Sequence, residues 1–151
     1  MAIIRTETFI AAQPEVCFDL ARDVNAHASS TAQSKERIID APASGMLELG
    51  DEVEFEAVHF GIKQKLRSKI VEYNRPHRFV DEMQKGAFRR LSHVHEFEAV
   101  ESGTRMIDVM DFASPLGFLG AIADRLFVAS YLRRFVFQRN KELKAMAEAR
   151  P

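Results

Sequence analysis

His93 and His95 stand two residues apart in the run Phe88–Ala99, and Asp108 stands in the run Thr104–Ala113. Both runs alternate between apolar and polar residues, and on a strand a spacing of two puts both imidazoles on one face. Asp108 is flanked in period two by Met106, Met110 and Phe112, so its carboxyl shares the apolar face of its own strand. Three chemistries suit such a set. Paired strand histidines can supply two ligands to a metal, with Asp108 as a third ligand or as the partner behind one of them. A histidine titrating near its usual ~6.5 can instead shuttle protons, with Asp108 fixing its tautomer, and that would serve to cyclise or dehydrate an apolar substrate. Last, the three groups can satisfy one another as a buried polar cluster, or orient the polar end of a ligand. The spacing is compatible with all three and favours the last. Neither a metal nor a cofactor is expected.

The elements that must position these groups follow from the surrounding pattern. Glu101-Ser102-Gly103 reads as a hairpin turn between the two runs. With Ser102-Gly103 as a two-residue loop, Phe97 faces Asp108, His95 faces Met110 and His93 faces Phe112. Upstream, His77–Lys85 reads as a strand with Phe79, Asp81 and Met83 on one face, after a turn at Asn74-Arg75-Pro76. Val53, Phe55, Ala57 and His59 alternate with Glu52, Glu54, Glu56 and Val58, the pattern of a half-buried strand. After a turn at Gly61, Ile62, Leu66 and Ile70 share a face opposite Lys63, Lys65, Arg67 and Lys69, which is expected to be solvated.

Nearer the start, Ala2–Ile10 is a strand with Ile4, Thr6, Thr8 and Ile10 on one side. Gln13-Pro14-Glu15 has the form of a helix start, proline at the first helical position and an acid in the first turn. Val16, Leu20 and Val24 follow at helical spacing, with Cys17 and Ala21 alongside. Asn25 is placed to cap a second short helix through about Gln33. Arg37–Ala41 is a short strand, and Pro42–Gly50 a loop carrying Met46, Leu47 and Leu49. After Pro115 the period changes: Phe118, Ile122, Leu126, Ala129, Leu132 and Val136 recur at helical steps, and Leu143 and Ala147 extend the stripe. Phe127, Tyr131 and Phe135 add a second apolar row. A long helix apolar over more than one stripe is best placed inside a curled sheet.

Composition limits what such a fold can do. The chain of 151 residues carries a net charge of -1, which argues against an electrostatic nucleic-acid or membrane binder. Phe supplies 12 of the 14 aromatic side chains, and a residue with no polar handle suits a dry interior. Cys17 is the single cysteine, so no internal disulfide forms, and it reads as a small buried hydrophobe. No secretory signal stands out at the N-terminus, and no apolar run approaches the ~20 residues that span a bilayer. A cytoplasmic protein without stable membrane insertion is expected, with residues 1–151 as one domain.

This element order resembles the helix-grip fold of the START-like (SRPBCC) superfamily, and within it a polyketide cyclase/dehydrase-like bacterial subgroup. The resemblance covers nearly the whole chain. Its more specific parts are Ile70 with Pro76, Phe79-Val80-Asp81, Gly86-Ala87-Phe88, His93-x-His95-x-Phe97, Gly103-Thr104 with Asp108, and Pro115-Leu116-Gly117. Asp124-Arg125-Leu126, Tyr131-Leu132-Arg133 and Arg139-Asn140 complete it. The resemblance implies an α+β fold in which a curved antiparallel sheet of about seven strands wraps a long C-terminal helix, with two short helices after the first strand. It also implies a deep cavity for a lipid, polyketide or similar apolar molecule, but no single reaction. The expected cavity wall is Phe55, His59, Phe79, Asp81, Met83, Phe97, Met106, Met110, Phe112, Leu126 and Tyr131. The leading expectation is a binder of a hydrophobic small molecule. The alternatives are a cyclase, aromatase or dehydratase acting through His93, His95 and Asp108, and a protein-interaction module.

Overall fold

The structure is a computed structural model and describes residues 2–31, 35–59 and 61–150. The chain runs β1 (Ala2–Ile10), α1 (Pro14–Ala21), α2 (Val24–Ser30), β2 (Arg37–Asp40), β3 (Glu52–His59), β4 (Ile62–Asn74), β5 (Arg78–Lys85), β6 (Arg90–Val100) and β7 (Gly103–Ala113). It closes with α3 (Gly117–Ala123), a π-helical turn (Asp124–Val128) and α4 (Ala129–Glu148), one continuous helical rod. The seven strands form a single sheet in the order β1-β7-β6-β5-β4-β3-β2, every neighbour antiparallel. The first two strands occupy opposite edges, so α1 and α2 bridge the open side of the curved sheet and α4 fills its concave face. This is the helix-grip architecture.

Local chemistry explains the short helices. Pro14 occupies the first turn of α1 with Glu15 beside it. The cap of α2 is Asp23 rather than Asn25: its carboxylate accepts from the backbone N–H groups of Asn25 (2.9 Å) and Ala26 (3.2 Å). The expected end of that helix near Gln33 lies outside the described residues. Phe18, fully buried, anchors α1 by edge-on contacts with Tyr73, Phe79 and Phe97 at 5.2–5.4 Å between ring centres. Tyr73 joins this inward set because a bulge between Ile70 and Glu72 reverses the facing of β4 past that point.

The β6–β7 hairpin forms as expected but in another register. Val100 pairs with Gly103, and His93, His95 and Phe97 pair with Met110, Asp108 and Met106. The loop is therefore Glu101-Ser102, not Ser102-Gly103. Gly103 belongs to the strand because it packs on β1, where a Cβ would collide with the carbonyl oxygen of Ile10. Ser102 takes the left-handed conformation in its place (φ +66°). The shift is two residues, so the face of every side chain is unchanged.

The long helix departs further from expectation. Its buried stripe is Gly120, Asp124, Leu132 and Val136, not Phe118, Ile122 and Leu126, which are exposed. Asp124 decides this: its carboxylate accepts from the Ser114 backbone N–H (3.0 Å) and from the Ser114 hydroxyl, so it is turned inward. Leu126 and Ile122, two residues to either side, then point about 200° away. The other end is tied to β1: Glu148 accepts from the Ala11 N–H (2.8 Å), and Lys144 donates to the Phe9 carbonyl (2.7 Å).

Candidate functional site

β5, β6 and β7 are neighbours in mid-sheet, and their inward faces bring Asp81, His93, His95 and Asp108 together. His95 lies directly opposite Asp108 and His93 opposite Asp81, yet the hydrogen bonds run diagonally. His93 Nε2 is 2.7 Å from Asp108 Oδ1, and His95 Nε2 is 2.7 Å from Asp81 Oδ2. The crossed pairing lays the two imidazoles face to face at 3.8 Å, and Phe79 stacks on the far side of His95 at 4.2 Å. Burial, reinforced by His93, pushes the His95 imidazole from an ordinary 6.5 down to about 4, against the pull of Asp81 and Asp108. His95 is therefore neutral at neutral pH. Burial alone would raise the Asp81 carboxyl, but its hydrogen bond with His95 and the histidine charges outweigh that and hold it below its usual value. An ionised Asp81 fixes the His95 proton on Nε2. The remaining nitrogen, Nδ1, is buried without a hydrogen-bond partner, 3.5 Å from Asp108 Oδ1.

Asp108 itself is saturated. Beside His93 it accepts from Arg139 Nη2 on Oδ1 and from Asn140 Nδ2 on Oδ2, both at 2.7 Å, while Arg139 also donates to the Asn140 side-chain oxygen. Arg139 is the strongest influence opposing the desolvation of Asp108, and with His93 it holds that carboxyl far below the ordinary carboxylate range. A carboxylate so held neither gives nor takes a proton near neutral pH. Its role is to clamp α4 to β6 and β7.

In front of this cluster lies a cavity of about 170 Å³, comparable to the ~150 Å³ void that accepts a benzene-sized guest. Its walls are mostly apolar: Val53, Phe55, Ala57, Ile70, Phe79 and Met110 from the sheet, and Leu132, Phe135 and Val136 from α4. It reaches the surface beside the exposed Lys65 and Ala87. Two polar stations interrupt the walls. One is Asp81, His93 and His95, with Arg139 behind. The other is His59, whose Nδ1 lies 2.6 Å from the Tyr131 hydroxyl, together with His27 and Glu36 (2.8 Å apart). Burial lowers His59 and raises Tyr131, so both are uncharged at neutral pH.

Of the residues expected to face a ligand, Phe55, His59, Phe79, Asp81, Met110 and Tyr131 line the cavity, as do His93 and His95. Phe97, Met106 and Phe112 lie in the closed core instead: the first two with Phe18, the third against Phe88. Met83 sits beside Gly86 at the end of β5, outside the wall. Leu126 is 63% exposed on the outer face of the helix. Among the contributors unassigned from sequence are Arg139 and Asn140 beside the site, and His27 and Glu36 in its wall. For the first two the signal exists. They interrupt the apolar stripe Leu132, Val136, Leu143 and Ala147, and a charge on a buried stripe needs a partner. For the second two nothing in the sequence joins His27 to Glu36.

Asp81, His93 and His95 each offer one donor atom within 4.8 Å of the others. The imidazole planes, however, are only 21° apart at 3.8 Å. Rings stacked in this way do not aim in-plane lone pairs at one point ~2.0–2.1 Å from both nitrogens, as a zinc ion requires. The arrangement as it stands suits hydrogen bonding to a ligand oxygen.

Comparison with known proteins agrees with this architecture. The protein TTHA0849 from Thermus thermophilus superposes with a TM-score of 0.80 at 20% identity, over 98% of each chain. A START superfamily protein from Mycobacterium smegmatis and ginseng major latex-like protein 151 from Panax ginseng each give 0.73 at 14% identity, over 97% of each chain. At these identities the likeness is one of fold. No curated protein matches the sequence. The family profile described as polyketide cyclase / dehydrase and lipid transport matches residues 1–148. With START-like neighbours in structure and that match over almost its full length, the chain belongs to the polyketide cyclase / dehydrase and lipid transport family.

Proposed function

We propose that the protein binds a small, mainly apolar molecule between sheet and helix, with a hydroxyl of the ligand at Asp81 and His93. The observation that carries this is the cavity itself: apolar walls broken at two stations by groups able to donate or accept a hydrogen bond. Removing apolar ligand surface from water supplies affinity at roughly 25 cal/mol per Å², and the polar stations select and orient. The test is titration with a fluorescent fatty-acid probe. Wild type binds at one site, and Ala57→Phe, which fills the cavity from β3, weakens binding at least tenfold without loss of fold. Equal binding by both proteins would contradict the proposal.

A second reading rests on the Asp81–His95 pair. A carboxylate holding an imidazole as its neutral tautomer at a cavity wall is the arrangement of a general base, which suits a cyclase or dehydratase. Turnover of an aromatic polyketide that disappears in His95→Gln while probe binding persists would establish it. No helix among the described residues is long and apolar enough to cross a membrane. A cytoplasmic location belongs to the proposal and is supported by Cys17, a free, buried thiol.

A further inference from the structure

The first third of the helical rod turns apolar side chains outward. Phe118 (74% exposed), Leu119, Ile122 and Leu126 follow one another at short helical steps, and Leu116 and Phe127 (66%) flank them. Single exposed apolar residues are ordinary, but a contiguous set of large ones marks a contact surface. The charges around it have one sign. Between Gly117 and Phe137 the exposed ionisable residues are Arg125, Arg133 and Arg134, and the only acid, Asp124, is buried against Ser114. The overall charge of -1 hides this face, because the acids lie elsewhere.

We propose that this face docks the protein on an anionic lipid bilayer. Apolar side chains on a helix with arginines as its only exposed charges fit the headgroup boundary: the rings and leucines enter the acyl edge and the guanidinium groups meet lipid phosphates. A second copy of the chain is the poorer occupant, since a symmetric contact would set the arginine-bearing surface against itself. The face also continues into the cavity. Val128 and Tyr131, the next residues along the rod, line its wall, and Phe88 from the loop before β6 lines it too. A bilayer at this surface therefore adjoins the part of the rod that walls the cavity. The chain turns into the rod through Leu116 (φ +77°) and Gly117 (φ +57°), both left-handed.

The test is co-sedimentation of the full chain with vesicles of phosphatidylcholine alone and with added phosphatidylserine. Wild type sediments with the phosphatidylserine vesicles, and sedimentation declines as salt is raised. Phe118→Ser with Leu126→Ser lowers the bound fraction at least tenfold, while Arg125→Glu with Arg133→Glu removes the preference for anionic lipid. These four positions lie outside the cavity wall, so fatty-acid probe binding stays unchanged and separates failure of this proposal from failure of the ligand reading. No sedimentation by wild type, or equal sedimentation by the serine variant, overturns the proposal. A concentration-dependent dimer that the serine variant abolishes, seen by analytical ultracentrifugation, overturns it in favour of a second copy.

Discussion

Asp108 accepts from three donors in a dry site, and its value to the protein is best judged by what its loss would strand. Asp108→Ala leaves the buried Arg139 guanidinium without its counter-charge. Removing one partner of a buried pair costs about 3–5 kcal/mol, so urea unfolding should shift by that amount, and an unshifted midpoint would rule out the clamp. His95 couples stability to pH. Its folded-state pKa is lowered from 6.5 to about 4, so between those values the unfolded chain binds a proton at this position that the folded chain does not. Stability therefore falls as pH drops from about 6.5 to about 4. His59, also lowered, adds in the same direction. His95→Gln should make the decline shallower, read as the urea midpoint against pH. At this scale the sequence showed the actors but not their pairing. The spacing of His93 and His95 and the inward face of Asp108 were legible; the assignment of Asp81 to His95 was not, because diagonal bonds across a sheet depend on ring tilt rather than on register.

Among the elements, strands and short helices followed from periodicity and proline, and the departures have local causes. The hairpin register moved by two because Gly103 is spent on packing against β1, a contact between distant parts of the chain that leaves no local trace. Gly103→Ala would push a methyl into the Ile10 carbonyl, and overpacking of that kind typically costs about 1–3 kcal/mol; a thermal melt unchanged from wild type would disprove the contact. Phe18 lies off the stripe Val16, Leu20 and Val24 that helical spacing marks, so periodicity does not single it out. It sits under three aromatic rings, and Phe18→Ala should cost about 3–5 kcal/mol by chemical denaturation. The outward turn of Phe118, Ile122 and Leu126 was hidden for a different reason. Hydrophobic periodicity reports that a face is apolar, not which way it points, and one buried acid bonded to Ser114 rotates the first turns of the rod away from the sheet.

For the whole molecule, the order of elements was readable almost from end to end, because each strand and helix carries its own pattern and the connections are short. The cavity was less so. Whether an inward aromatic lines a void or fills it depends on what the opposite wall supplies: Phe55 and Phe79 border the space, whereas Phe97 and Phe112, on equally inward positions, meet Phe18 and Phe88 and close against them. The proposed function rests on that void being a binding site for an apolar molecule. Native mass spectrometry of the purified protein, followed by organic extraction of whatever it carries, tests this most directly. It predicts a stoichiometric apolar adduct, or one equivalent of fatty-acid probe taken up by ligand-free protein and lost in Ala57→Phe. A clean ligand-free mass together with no uptake of the probe would contradict it.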